Sequence, residues 1–142
     1  MINISKKSNQ RGNVPSYSAT SQSNLNTCHK DLQTLFNTII KTYDCSITCG
    51  HRDAVDQTAA FKAGNSKLQW PESKHNSTPS LGIDVHPYPI DFQNLPRYYV
   101  FIGYILRTAE LLGIKIRSGA DWDGDMDPSN QTFHDLGHFE LL

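Results

Sequence analysis

The chain has 142 residues, a net charge of -1 at pH 7 and a hydrophobic content of 37%. A chain of this length is expected to form one domain that buries roughly two thirds of its unfolded surface, so it needs no disulfide framework. The near-zero charge argues against a nucleic-acid partner, and the longest nearly apolar run, 98–106, is too short to insert into a membrane. The odd number of cysteines and the lack of an export signal favour synthesis in the cytoplasm.

The charge is unevenly distributed along the chain. Residues 1–26 are rich in Ser and Asn and contain basic residues but no acids, a composition typical of a flexible polar arm. All 14 acidic residues lie at or after Asp31. We therefore predict an arm at 1–26 and a folded domain at 27–142.

The predicted elements of the domain mix helices and strands without regular alternation. Apolar residues at helical spacing predict a first helix up to about Tyr43, with Thr27 as its N-cap. The elements that follow are a strand at 45–49, a helix at 53–63, a long loop at 65–81, a strand at 82–86, a central buried helix at 96–112, and strands at 114–117 and 137–141. This order predicts an α+β domain with about three helices.

Two of the predicted strands carry polar residues on one face. Asp84 and His86 share a face in the first of these strands, and His138 and Glu140 share a face in the last strand. The preceding long loop supplies His75. Imidazole nitrogens and carboxylate oxygens are typical ligands of a catalytic zinc ion, which keeps one position open. Ordinary surface residues on an exposed sheet face would produce the same pattern.

An ordered series of motifs favours the metal site. The motifs are Gly50-His51-Arg52, Gln57, Gly64, Ser66-Lys67, Ser73-Lys74-His75-Asn76, Pro79-Ser80, Asp84 and Asp135-Leu136-Gly137-His138-Phe139-Glu140-Leu141. Over residues 24–142 they resemble the M15 zinc metallopeptidases, and among these the phage endolysins of the L-alanyl-D-glutamate peptidase type. The spacing between His75 and Asp84 is longer than the common motif of the family and matches its phage-type subgroup.

The resemblance implies a fold and a metal site. The implied fold is a small, mostly antiparallel sheet flanked by helices, like that of Hedgehog and DD-peptidase domains. By their positions in the motifs, His75, Asp84 and His138 are the expected zinc ligands. His86 is outside the motif, so it either supports Asp84 or is simply exposed.

The resemblance also implies an activity. Asp135 matches the catalytic acid/base, Arg52 matches a catalytic residue near the substrate carbonyl, and Ser73 matches a residue that contacts the substrate. The implied protein is a monomer that hydrolyses peptidoglycan stem peptides during phage or prophage lysis, made in the cytoplasm and active on the cell wall after its release. A D-Ala-D-Ala carboxypeptidase or dipeptidase of the same family is one alternative. A metal-containing but inactive wall-binding module is another.

Four carboxylates alternate along a short segment, which we call the acidic loop (residues 121–127). They belong to Asp121, Asp123, Asp125 and Asp127. Their spacing resembles the start of a calcium-binding loop, but Met126 and Thr132 replace the glycine and the glutamate that a regular EF-hand requires. The loop is therefore either a looser calcium site or a solvated acidic turn.

The cysteines are expected to be buried thiols. Alternation along the first strand would place Cys45 and Cys49 on the same face, too far apart for an easy disulfide bond.

Overall fold

The computed structural model describes residues 14–142 and contains one four-stranded antiparallel sheet. The strands are β1 (Cys45–Cys49), β2 (Gly82–Pro87), β3 (Ile116–Ser118) and β4 (His138–Leu141), in the order β1-β2-β4-β3. The helices in this range are α1 (Ala19–Asn26), α2 (Lys30–Ile39), α3 (Ala54–Lys62) and α4 (Leu95–Leu112). Two single-turn 3-10 helices are Lys74–Asn76 and Pro128–Asn130. The α+β prediction is confirmed. None of the described helices combines the length and apolar character that crossing a membrane requires.

One face of the sheet forms the hydrophobic core. Ile83 and Val85 of β2 and Phe139 of β4 are completely buried. The ring centroid of Phe139 lies 5.9 Å from that of Phe36 in α2 and 6.5 Å from that of Phe101 in α4. Because side chains alternate along a strand, the residues between these apolar positions point to the opposite face. The core thus determines which residues are available for a site on the other side of the sheet.

Helix α4 is buried on one face only, so the prediction of a central buried helix is wrong. Its buried face includes Phe101 and Ile105, whereas Val100 and Leu111 are 65% and 70% exposed. The helix packs against α2 and the sheet from one side, because it lies in the outer layer of a two-layer domain.

Residues 14–26 pack on the domain and include a helix, α1, that the sequence analysis did not expect. In α1, Leu25 is completely buried. The Ser21 hydroxyl accepts a hydrogen bond from the Ile47 amide (2.9 Å), and the Asn24 side chain donates to the Ile47 carbonyl (2.8 Å). β1 is an edge strand, so these polar side chains satisfy backbone groups that have no strand partner. Residues 1–13 of the predicted arm lie outside the described residues.

Helix α2 begins later than the sequence predicted. Thr27 is the C-cap of α1 and not the N-cap of α2. The N-cap of α2 is His29, whose Nδ1 accepts a hydrogen bond from the Asp31 amide at 3.1 Å. The predicted helix ran through this break because a separate α1 was not expected.

A bulge in β1 changes the direction of one cysteine. Ile47 pairs with Val85 but Cys49 pairs with Asp84, so Thr48 is an extra residue in the strand. Cys45 therefore faces the core, while Cys49 lies on the face of Asp84. The expectation that the two cysteines share a face is wrong, because strict alternation does not allow for the bulge.

Candidate metal centre

The expected metal ligands converge on one point of the polar face. The Nε2 atom of His75 lies 3.1 Å from Oδ1 of Asp84 and 3.1 Å from Nδ1 of His138, and the latter two atoms are 3.2 Å apart. Ligand atoms bound tetrahedrally at about 2 Å from one metal ion are about 3.3 Å from each other. The triangle thus has the size of one face of a tetrahedral metal site.

Sheet register and a capped turn bring these ligands together. Asp84 of β2 pairs directly with His138 of β4, so their side chains stand side by side. His75 lies in the 3-10 helix Lys74–Asn76, whose N-cap Ser73 accepts a hydrogen bond from the His75 amide at 3.2 Å. A Cβ atom on Gly82 would lie 3.2 Å from His138 and 3.3 Å from His75, so glycine leaves room for both rings.

Each imidazole is oriented by a hydrogen bond from its second nitrogen. Nδ1 of His75 donates to the Gly50 carbonyl at 2.7 Å, and Nε2 of His138 donates to Oε1 of Glu140 at 2.8 Å. Both acceptors lack a hydrogen, so the imidazole nitrogens must carry it. The remaining nitrogens, Nε2 of His75 and Nδ1 of His138, therefore point at the centre, where each can offer a lone pair to a metal ion that displaces its proton. The three residues fit a metal ion that takes nitrogen and oxygen ligands.

The charges of the three residues shift each other's pKa values. Burial raises the pKa of Asp84, but hydrogen bonds with His138 and His75 lower it by more, to well below its usual range. Burial lowers the pKa of His75, but hydrogen bonds with Asp84 and Cys49 outweigh this effect and raise it to about 10. Asp84 is therefore ionised at neutral pH, and the centre favours a positive charge where the three atoms meet.

Arg52 lies beside the centre and is held by a buried glutamine. Its Nη2 atom is 3.6 Å from Oδ2 of Asp84, and its Nη1 atom donates to Oε1 of Gln57 at 3.0 Å. Gln57 is completely buried, and its other hydrogen bonds involve Asn76, Ser66 and the Leu68 carbonyl. Gln57 thus links Arg52 to the loop that carries His75, a role that the sequence analysis did not assign.

Asp135 lies close to the ligands. One carboxylate oxygen of Asp135, one of Asp84 and one nitrogen of His138 are all within 4.8 Å of each other. Burial and the negative charge of Asp84 raise the pKa of Asp135. A Cβ atom on Gly119 would lie 2.2 Å from the Asp135 carbonyl oxygen, so glycine permits the close approach of these two segments.

The centre opens into a cleft of about 700 Å³, a size suited to a small peptide. Arg52, Ser73 and Asp135 line the cleft together with the ligands. The Trp122 ring stacks on Phe133, with centroids 6.1 Å apart. All the residues predicted for catalysis and substrate contact therefore share one cavity.

The acidic loop brings together three of its four aspartates. Carboxylate oxygens of Asp121, Asp123 and Asp125 lie within 4.8 Å of one another, whereas Asp127 caps the turn that follows. Asp121 is buried, and within residues 14–142 no donor reaches its Oδ1 atom. Met126 adopts a positive φ of 68° where a regular calcium loop has glycine.

Two other residues differ from what the sequence suggested. The Cys49 Sγ atom lies 3.7 Å from Nδ1 of His75, a proximity that depends on the bulge. The ring nitrogens of His86 bond to the Tyr98 hydroxyl (2.7 Å) and the Thr48 hydroxyl (3.2 Å). His86 therefore connects β2 to Tyr98 of α4 and to Thr48 of β1, and it does not orient Asp84.

Comparisons with known proteins agree with this architecture. The L-alanyl-D-glutamate peptidase of Escherichia phage T5 is 32% identical over 109 residues, which cover 72% of this chain and 79% of that protein. The crystal structure of the Serratia marcescens L-Ala D-Glu endopeptidase ChiX has the same fold, with a TM-score of 0.70, 23% identity and coverage of 89% of this chain and 90% of that one. The family model of the phage L-alanyl-D-glutamate peptidases matches residues 14–142. The chain therefore belongs to the phage L-alanyl-D-glutamate peptidase family.

Proposed function

We propose that this protein is a zinc-dependent peptidase that cleaves the L-alanyl–D-glutamate bond in peptidoglycan stem peptides, in the context of phage or prophage lysis. The observation that carries the proposal is the triangle of ligand atoms, 3.1–3.2 Å on each side, at the base of a peptide-sized cleft. Membership of the family supports the choice of bond.

The ligand set favours zinc over the hard cations. Two imidazole nitrogens and one carboxylate oxygen suit Zn²⁺, whereas Ca²⁺ and Mg²⁺ prefer sites made entirely of oxygen. His75, Asp84 and His138 would hold the ion and leave one position open. When bound, zinc supplies Lewis acidity and lowers the pKa of a water molecule towards neutrality.

Asp135 is the proposed acid and base. Its carboxylate is close enough to the ligands to accept a proton from an attacking water and to pass it to the leaving amine. Its raised pKa, caused by burial and by Asp84, improves its ability to hold that proton between the two steps.

Arg52 and Ser73 are proposed to contact the peptide. The guanidinium of Arg52 is permanently charged and fixed by Gln57 and Asp84, so it can stabilise the negative charge that develops on the scissile carbonyl oxygen. The Ser73 hydroxyl caps the turn that carries His75, and the residue lines the same cleft. Ser73 thus connects substrate contact to the position of a metal ligand.

Mass spectrometry of digested peptidoglycan tests the proposal. Purified sacculi are incubated with the protein, with the protein plus a zinc chelator, and with the chelated protein after zinc is restored. We expect new L-Ala carboxyl ends and D-Glu amino ends that disappear with the chelator and return with zinc. Release of terminal D-Ala would indicate a carboxypeptidase instead. Binding to sacculi without any new ends would indicate an inactive binding module.

We also propose that the acidic loop binds calcium through Asp121, Asp123 and Asp125. The supporting observation is that Asp121, a member of the cluster with Asp123 and Asp125, is buried and that its Oδ1 atom has no hydrogen-bond donor among the described residues. A buried carboxylate oxygen without a partner is costly, and a cation bound by oxygen ligands would compensate for it.

Calorimetry on metal-free protein tests the calcium site. Wild type should release or absorb heat on calcium addition, and Asp121→Asn should lose that signal. Asp127→Asn is the matched control, because Asp127 lies outside the cluster and caps a turn. Absence of a calcium signal in the wild type would leave the solvated acidic turn as the correct interpretation.

A further inference from the structure

Glu140 is a buried carboxylate that the mechanism does not use. It is 5% exposed, and each of its oxygens has a partner. Oε1 lies 2.8 Å from Nε2 of His138, and Oε2 lies 2.7 Å from Nη2 of Arg117. Burial of a carboxylate is costly without such partners, so its place in the sheet calls for a specific role.

We propose that Glu140 and Arg117 form a positioning pair that fixes the orientation and tautomer of His138 and thereby sets the affinity of the metal centre. The inference rests on His138 being a metal ligand, as in the proposed function. Neither residue touches the three converging ligand atoms, so both would act through His138.

Sheet register places the pair next to the centre. Arg117 of β3 lies directly opposite Glu140 of β4, as Asp84 of β2 lies directly opposite His138. Residues 138 and 140 share one face of β4 because side chains alternate along a strand. The metal ligand and its positioning pair are therefore held by the backbone hydrogen bonds of one sheet.

The two metal-binding imidazoles differ in what orients them. The acceptor for His75 is the backbone carbonyl of Gly50, which is fixed by the fold. The acceptor for His138 is a side chain, whose rotamers must themselves be restricted. Arg117 provides that restriction, since its guanidinium binds the second oxygen of Glu140.

Arg117 is in turn anchored on Trp122. Its Nη1 atom donates to the Trp122 carbonyl at 3.3 Å, and its guanidinium carbon lies 5.6 Å from the centroid of the indole ring. The same ring lies 5.6 Å from that of His138. The indole and the carboxylate thus hold the imidazole from two directions.

Loss of the pair should weaken metal binding without unfolding the protein. A carboxylate acceptor requires hydrogen on Nε2 and leaves the Nδ1 lone pair for the metal. Without it, the ring can adopt the other tautomer or rotate, and loss of such a partner typically costs 10–100-fold in metal affinity. Glu140→Gln keeps an acceptor oxygen and should therefore lose less affinity than Glu140→Ala.

Competition with a chromophoric zinc chelator measures the effect on full-length protein. We expect about 10–100-fold weaker zinc binding for Glu140→Ala, and smaller losses for Glu140→Gln and Arg117→Ala. Glu110→Ala is the matched control, because it breaks the surface pair of Arg107 and Glu110 (2.9 Å) and should bind zinc like the wild type. Long-range ¹H–¹⁵N NMR of the zinc-loaded protein should show the His138 hydrogen on Nε2 in the wild type.

The possible outcomes distinguish a positioning role of the pair from a purely structural role. They also distinguish a failure of this inference from a failure of the proposed function. Wild-type zinc affinity in Glu140→Ala and Arg117→Ala would overturn the inference. If Glu140→Ala fails to fold, the comparison of Glu140→Gln and Arg117→Ala with Glu110→Ala decides. If all folded variants lose zinc affinity only in proportion to their loss of thermal stability, the pair has a structural role, and this result would also overturn the inference. If the wild type does not bind zinc, the proposed function fails and the inference fails with it.

Discussion

The Nε2 atom of His75 lies 3.1 Å from the Nδ1 atom of His138, although His75 belongs to the 3-10 helix Lys74–Asn76 and His138 begins strand β4. Each ring donates its other N–H group, to Gly50 and to Glu140 respectively. The remaining nitrogens, Nε2 of His75 and Nδ1 of His138, consequently face each other beside the carboxylate of Asp84. Without a metal ion the groups favour a bound proton, which raises the pKa of His75 to about 10, and a metal cation would take the place of that proton.

Zinc should therefore stabilise the folded protein. Because the ion binds the folded centre and not the separated ligands, a zinc concentration about 100 times Kd should add about 2.7 kcal/mol of stability. For a chain of this size we expect a rise in Tm on the order of 10 °C, measured by calorimetry on chelator-treated protein with and without zinc. His138→Ala should abolish the rise. An equal rise in that variant would place the zinc elsewhere.

Asp135→Asn should remove catalysis and leave metal binding intact. Loss of a general acid/base typically lowers kcat by about 10²–10⁴-fold. The base must be ionised to accept a proton, and its pKa is raised, so the wild-type rate should fall with decreasing pH at values above the usual Asp range. The pH–rate profile of the variant should lack this decline at low pH. Asp56→Asn, an exposed change on α3, is the control. A variant that digests peptidoglycan at the wild-type rate would contradict the role of Asp135.

Gln57→Leu should destabilise the protein and lower its activity. The change removes the buried hydrogen bonds of Gln57 with Arg52, Asn76 and the Leu68 carbonyl, which should cost about 2–4 kcal/mol in urea unfolding. Activity should fall further than stability explains, because Arg52 loses the hydrogen bond that fixes its Nη1 atom and keeps only its contact with Asp84. Gln22→Leu removes an exposed hydrogen bond on α1 and should change stability by less than about 0.5 kcal/mol. Equal effects of the two substitutions would refute the linking role of Gln57.

The cysteines should differ sharply in reactivity. Burial raises the pKa values of Cys28 and Cys45 to about 12, so both remain unreactive thiols at pH 8. Cys49 is partly exposed and should be the site of alkylation by iodoacetamide in the folded protein, as mapped by peptide mass spectrometry. Cys49→Ser should remove the label, and urea should expose the other two thiols. Early labelling of Cys45 in folded protein would contradict the strand orientation.

Local patterns in the sequence were sufficient to predict much of the fold and of the residues that form the site. Alternation in β2 and β4 correctly separated core residues from Asp84 and His138, because a strand that packs on a core must send every second side chain to the other face. The motif resemblance identified the family and the residues that converge at the centre. Strand and helix bounds agreed closely where glycine, proline or a capping residue marked the end of an element, as at Asp53 before α3.

Long-range contacts decided what the sequence could not. The polar composition of α1 suggested an arm, but its side chains bond to the edge of β1, a partner that lies more than twenty residues away in the chain. The bulge at Thr48 turned Cys49 towards His75, and the pairing of β3 with β4 placed Arg117 against Glu140. The sequence by itself determined which side chains alternate between the two faces of a strand and which residue types can bind a metal, because both depend only on residues close together in the chain. Only the tertiary structure decided which groups orient those ligands, because hydrogen bonds between distant segments exist only once the sheet has formed.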